Sequence, residues 1–176
     1  RRIVRALASL AEIALFQGRF GEADRLARQS VHKAAELGNQ PESAFALLIW
    51  GETLEAHGLF SKAQSALGKS LAIYDDLGHY NYIASVQAEL GSVNLHMGCY
   101  PKARAHGETA LALARKYGPS FRAGFALTLL GCVALTEGKS DEAHRLLEES
   151  ITIYRAIGPR SGAGFGWSEA GLGYAA

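Results

Sequence analysis

Three short stretches carry residues that could do chemistry. Glu137-Gly138-Lys139-Ser140 has the ending of a phosphate-binding loop, in which backbone amides and a lysine grip phosphate oxygens. That motif needs a glycine at 133, where Val133 stands, and a strand leading into the loop. Ser161-Gly162-Ala163-Gly164-Phe165-Gly166 evokes a dinucleotide loop, but its spacing is wrong and no strand pattern precedes it. His96 and Cys99 stand three apart, a spacing metals can use, yet a closed zinc site takes four ligands and no convergent pair accompanies them. His96 with Cys132 would make a base and a nucleophile, without an orienting acid or oxyanion donors. His32, His57, His79, His106 and His144 fall at unrelated positions. The expectation is a protein that is not an enzyme, with no metal and no cofactor.

The elements that carry these residues are set by a spacing of 40. Ala11, Gly51, Gly91, Gly131 and Gly171 occupy one register of it. Gly18, Gly58, Gly98 and Gly138 occupy a second, Ala23, Ala63, Ala103 and Ala143 a third, and Gly38, Gly78, Gly118 and Gly158 a fourth. Self-similarity at such a period is the mark of stacked repeats, each too small to bury its apolar face alone. The chain therefore reads as a single repeat domain over 1–176, with units at about 1–40, 41–80, 81–120, 121–160 and a partial 161–176.

Within a unit, two apolar stripes follow helical spacing: Ile3, Leu7, Leu10 and Ala14, then Leu26, Ala27, Val31, Ala34 and Leu37. Gly18 and its copies can take the positive φ of a helix C-cap, and Ser61, Pro101 and Ser140-Asp141-Glu142 restart the chain as helix. Leu37-Gly38, Leu77-Gly78, Tyr117-Gly118-Pro119 and Ile157-Gly158-Pro159 end the second helix of each pair. The pattern predicts nine helices, at about 2–17, 21–37, 41–57, 61–77, 81–97, 101–117, 121–137, 141–157 and 161–175. Short connections force neighbours antiparallel. A mid-helix glycine costs about 1 kcal/mol relative to alanine. Gly51, Gly91 and Gly131 are thus expected where the partner helix crosses closely, opposite Ala63, Ala103 and Ala143.

These registers resemble the tetratricopeptide repeat, whose first helix follows W-x2-L-G-x2-Y and whose second places a small residue after the turn. Trp167, Ala170, Gly171 and Tyr174 match it well; Leu47, Trp50, Gly51 and Leu54 match more loosely, as do Leu127, Leu130, Gly131 and Ala134, and Gln87, Leu90, Gly91 and Asn94 match poorly. The usual unit is 34 residues long and ends in proline. Here Ala35, Asp75, Arg115 and Arg155 stand near that place, and the 40-residue length resembles the longer repeats of bacterial signal-transduction ATPases, maltose-activator-type regulators or kinesin light chains. The resemblance implies an all-α superhelix of antiparallel hairpins, a solenoid whose first helices line a concave groove. Its implied function is a non-catalytic interaction or regulatory scaffold, part of a bacterial signalling or transcriptional regulator. The alternative is a sensor for a small ligand or peptide effector.

Mapped onto this chain, the implied groove carries Glu12, Phe16, Phe45, Leu48, Glu52, Glu55, Glu89, Ser92, His96, Phe125, Thr128 and Cys132. Phe45 and Phe125 would anchor an apolar side chain, and the glutamates favour a basic or amphipathic protein segment or peptide. With a net charge of +1 and charges interspersed, there is no basic stripe for nucleic acid. No apolar run reaches the ~20 residues a membrane span needs. A cytoplasmic location is expected, with Cys99 and Cys132 as free thiols. Lacking a first Met and stopping inside a repeat, the chain reads as a piece of a longer polypeptide whose uncapped ends can self-associate.

Overall fold

A computed structural model describes residues 2–117 and 120–157. Eight α-helices follow one another: α1 (Arg2–Phe16), α2 (Phe20–Glu36), α3 (Gln40–Ala56), α4 (Phe60–Asp76), α5 (Tyr80–His96), α6 (Tyr100–Tyr117), α7 (Ser120–Thr136) and α8 (Ser140–Ile157). No strand occurs among the described residues. The expected ninth helix lies outside them. The chain divides into two compact units, Arg1–His79 with α1 to α4 and Tyr80–Ala176 with α5 to α8. In each, consecutive helices pack as antiparallel hairpins, and the first helices of the two hairpins also touch.

The hairpin turns explain why most helices begin and end one residue earlier than the sequence pattern suggests. Gly58 takes φ 70°, its N–H donates to the Glu55 carbonyl at 2.7 Å, and the Leu59 N–H donates to the Leu54 carbonyl at 2.9 Å. These are the two bonds of a Schellman motif. Leu59 is at the same time the N-cap residue of α4, so the C-cap of one helix and the N-cap of the next share a three-residue link. Gly18, Gly98 and Gly138 repeat the arrangement. A side chain at these glycines would be strained by the positive φ, although nothing crowds the space around them.

The mid-helix glycines do mark close crossings, but at Gly51 and Gly131 the partner is a leucine and not the expected alanine. A Cβ on Gly51 would lie 2.6 Å from Cγ and Cδ2 of Leu67, and one on Gly131 would lie 2.6 Å from Cγ of Leu147. Gly124 likewise leaves room for Tyr154, whose Cζ would stand 2.9 Å from an added Cβ. The third repeat solves the same problem in reverse. Gly91 faces Leu129 from α7, 2.4 Å from an added Cβ, with the Ala103 carbonyl oxygen at 3.2 Å, and Gly107 in α6 faces Leu130. Helix α7 thus has two working faces, glycines toward α8 and leucines toward α6.

Small and large residues alternate along the second helices: Ala27, Leu67, Gly107, Leu147, and Ala34, Tyr74, Ala114, Tyr154. Where the second helix is large, the first helix of its own hairpin is small. Serine adds a recurring polar link inside three hairpins: the Oγ of Ser30, Ser70 and Ser150 donates to the carbonyl of Val4, Ala44 and Gly124 at 3.0, 2.8 and 2.7 Å. Repeat three carries Ala110 in that register and omits the bond.

Ala103 is fully buried and packs with Leu129 and Val133. Ala103→Leu would drive a branched side chain into that crossing, with an expected loss of ~1–3 kcal/mol. Urea unfolding of the variant measures it, and a midpoint equal to the parent's would refute the packing described for α5, α6 and α7.

Candidate functional site

In the first unit, α1 and α3 lie side by side and bring together Glu12, Glu52 and Glu55. Glu52 and Glu55 are one turn apart on α3, and Glu12 occupies the Glu52 register one repeat earlier. All three are partly exposed. Glu52 is crowded enough that burial, then repulsion from Glu12 and from Glu55, pushes its carboxyl up to about 8. Burial also raises Glu12. Glu12 and Glu52 thus resist ionisation, and a nearby cation would reverse that resistance.

The other expected residues of this unit divide between surface and core. Phe16, the last residue of α1, is 68% exposed. Leu48 is buried and offers nothing to a partner. Phe45 is half-covered: the Arg5 guanidinium sits over its ring, 5.1 Å from the centroid, and Arg5 also pairs with Glu42 at 3.0 Å. That Arg5–Glu42 clasp joins α1 to α3 and covers one face of the Phe45 ring.

In the second unit Glu89, Ser92, Phe125 and Cys132 are partly buried on α5 and α7, and His96 is exposed at the end of α5. Phe125 packs against Ala88, Ala110 and Ala126, so much of its ring belongs to the core. Thr128 turns to the hairpin interior, where its hydroxyl donates to the Gly124 carbonyl at 3.0 Å and lies 2.8 Å from the Ser150 hydroxyl. It supports α7 against α8 and has no open surface to give. Tyr154 is pushed up to about 12 by burial, partly offset by a hydrogen bond with Thr128. Burial pushes the Cys132 thiol up, the opposite of what a nucleophile needs.

Two devices between repeats escape the sequence pattern. Arg122 of α7 donates to the Ser85 hydroxyl of α5 at 2.7 Å, the same 37-residue offset as Arg5 and Glu42 with the basic partner moved to the later helix. A charge search at that offset could have found Arg5 with Glu42, though not Arg122 with Ser85. Arg104 of α6 meets Glu137 at 2.7 Å and Glu142 at 2.8 Å, tying α6 to the α7–α8 turn. Its hydrogen bond with Arg104, then that with Lys139, holds the Glu137 carboxyl at about 2. The glutamate and lysine of the phosphate-loop lookalike are thus an ion pair, Lys139 to Glu137 at 2.7 Å.

Among the described residues no group of three or more His, Cys, Asp or Glu side chains is placed to hold a metal ion. No described helix is long and apolar enough to cross a membrane. Cys99 and Cys132 are both free thiols.

Helical hairpins at a fixed period, closed by glycine–leucine crossings, define an all-α repeat fold of the tetratricopeptide kind. Residues 82–156 match the family model for the tetratricopeptide repeat, which supports that assignment. Among solved structures, the candidate kinesin light chain of Podosopora anserina, with nearly identical TPR-like repeats, is similar over 98% of this chain and 84% of its own at 21% identity and a TM-score of 0.70. A Q17M form of it gives the same values. BtubC (BKLC) from P. vanneervenii is similar over 99% of this chain and 78% of its own, at 16% identity and a TM-score of 0.72. At such identities the likeness is one of fold. No curated protein matches the chain.

Proposed function

We propose that the chain is a non-catalytic interaction module that takes a basic or amphipathic protein segment against the first-helix face of its N-terminal unit. A tetratricopeptide scaffold suits protein–protein interaction, and extended surfaces built from successive repeats are what such arrays use. The observation that carries this reading is the trio Glu12, Glu52 and Glu55, three carboxylates on two adjacent helices, of which Glu12 and Glu55 raise the cost of charge on Glu52. A lysine or arginine brought among them replaces repulsion with a pair of opposite charges in a partly desolvated place. Phe16 adds an exposed aromatic on α1. The larger setting we propose is a bacterial signalling or transcriptional regulator, on the resemblance of the 40-residue units alone.

A labelled amphipathic peptide rich in lysine and arginine tests this by fluorescence anisotropy. Reversal of two charges in Glu52→Lys with Glu55→Lys is expected to weaken binding at least ~10-fold, about 1.4 kcal/mol, at low salt. Affinity for the parent should also rise as pH passes from 6 to 9, because Glu52 is neutral below about 8 and charged above it. Equal affinities for parent and variant would remove the acidic face as the site.

A further inference from the structure

One end of the second unit, where α5 and α7 start and α6 and α8 stop, gathers charges of a single sign. Arg115 and Lys116 close α6, Arg155 closes α8, and α5 and α7 open without an acid. The same end of the first unit mixes its charges, with Glu36, Glu42, Asp75 and Asp76 against Arg2, Arg5 and Lys33. Cations in a last turn suit the helix dipole, but Arg122 stands in the first turn of α7, where the dipole opposes it. Arg115 pairs with Glu149 at 2.6 Å, whereas Lys116 meets no carboxylate among the described residues.

Three aromatic rings stand open among these cations. Tyr80, the first residue of α5, stacks on Tyr117, the last of α6, with centroids 4.7 Å apart and planes 17° from parallel. The two remain 48% and 42% exposed, and Phe121 is 46% exposed. The Lys116 ammonium lies 4.8 Å from the Tyr117 centroid, and the Arg122 guanidinium lies 4.7 Å from that of Phe121 and 5.6 Å from that of Tyr82. Tyr80 and Tyr82 share the first turn of α5, so the two ring–cation groups form one rim. The repeat does not require it. The registers of Tyr80 and Tyr117 hold Gln40 and Leu77 in the second hairpin and Ser120 and Ile157 in the fourth, and the register of Lys116 holds Glu36 and Asp76.

We propose that this rim is an interaction surface for an acidic protein segment that carries an apolar or aromatic side chain. Charge complementarity assigns the occupant: carboxylates answer Lys116 and Arg122, and the side chain covers the exposed parts of Tyr80, Tyr117 and Phe121. A nucleic acid fits less well, because tracking its phosphates takes a longer run of cations than this rim holds. The partner is opposite in charge to the one proposed for Glu12, Glu52 and Glu55, and the surface shares no residue with theirs.

The test is fluorescence anisotropy of the 176-residue chain with a labelled peptide rich in aspartate and glutamate that carries one phenylalanine. Saturable binding is expected at low salt, weakening as salt rises. Two variants take residues that other repeats already hold in these registers, which keeps the fold. Lys116→Glu, matching Glu36, should weaken binding ~10-fold by turning an attraction into a repulsion. Tyr80→Gln with Tyr117→Leu, matching Gln40 and Leu77, should weaken it ~3-fold or more with no change of charge. No binding at a peptide concentration of about 1 mM, or equal affinities for the parent and both variants, overturns the proposal. So does tighter binding of a single-stranded oligothymidine that the same variants weaken, or a dimer of the parent that Lys116→Glu dissociates, since the occupant would then be a nucleic acid or a second copy. The tyrosine variant should bind the lysine- and arginine-rich peptide as the parent does, so the two proposals fail separately.

Discussion

Gly51→Ala should destabilise the protein by ~1–2 kcal/mol, although alanine is the better helix former by about 1 kcal/mol. The added Cβ would stand 2.6 Å from both Cγ and Cδ2 of Leu67, and Cγ is not the free end of a side chain that can swing away. Helix α4 must shift, or Leu67 must leave its rotamer. Leu67 is itself fully buried, and Leu67→Ala alone should cost ~2–5 kcal/mol through lost contacts and a cavity. On that background the sign of the first substitution reverses. Gly51→Ala then fills space and gains helix propensity, becoming neutral or stabilising by up to ~1 kcal/mol. The first repeat already uses this solution, with Ala11 and Ala27 in the two registers and both fully buried. A four-member cycle followed by urea unfolding reads the coupling. If Gly51→Ala destabilises equally in the parent and in the Leu67→Ala background, the two residues do not meet as described.

The second large effect is a dependence on pH. Glu52 has its carboxyl at about 8 in the folded chain against an ordinary value near 4.5, so folding favours the protonated form. The stability this gives is fully present below about pH 4.5 and is lost as pH rises through about 8. Glu12 shifts in the same direction. Glu52→Gln keeps a neutral side chain of nearly the same shape, and its melting temperature should therefore stay level where the parent's declines. At pH 9 the variant should be more stable by ~1–3 kcal/mol, a figure reduced from the full shift because solvent reaches part of the group. At pH 4 the two should coincide. Glu137 supplies an internal control: its carboxyl, held at about 2, contributes stability present above about 4.5 and lost as pH falls toward 2, in both proteins alike. Parallel melting curves for parent and Glu52→Gln from pH 5 to 9 would show that Glu52 is not crowded as described.

The fold is legible because one spacing writes it four times over. Turn glycines such as Gly58 and Gly98 need positive φ, and nothing else in the sequence could produce that need at intervals of 40. Gly118 and Gly158, with the stretch 161–175, lie outside the described residues. The crossings are half legible. Gly51 lies seven residues before Gly58, whereas Ala63 lies only five after it and Leu67 nine. Side chains on a helix lean toward its N terminus, so a residue covers the level of the turn before its own. Leu67 therefore reaches back to Gly51, and Ala63 sits too near the hairpin turn to do so.

The candidate site is less legible, since a repeat register fixes the helix but leaves the direction of a polar side chain open. The register puts Thr128 and Glu52 on the same face. The threonine hydroxyl instead meets the Ser150 hydroxyl in the adjoining helix, while Glu52 stays beside Glu12 and Glu55. Nor can apolar pattern alone foresee that Arg5 covers Phe45, because that contact depends on a long side chain crossing from one repeat to the next.

The most direct test of the interaction surface is a titration of the isotopically labelled chain with the same lysine- and arginine-rich peptide, followed by amide chemical shifts. Saturable shifts centred on Glu12, Phe16, Glu52 and Glu55 are predicted, with the second helices α2 and α4 little changed. Saturable shifts confined to the second helices, or no shifts at a peptide concentration of about 1 mM, the weak end of specific recognition, would contradict it.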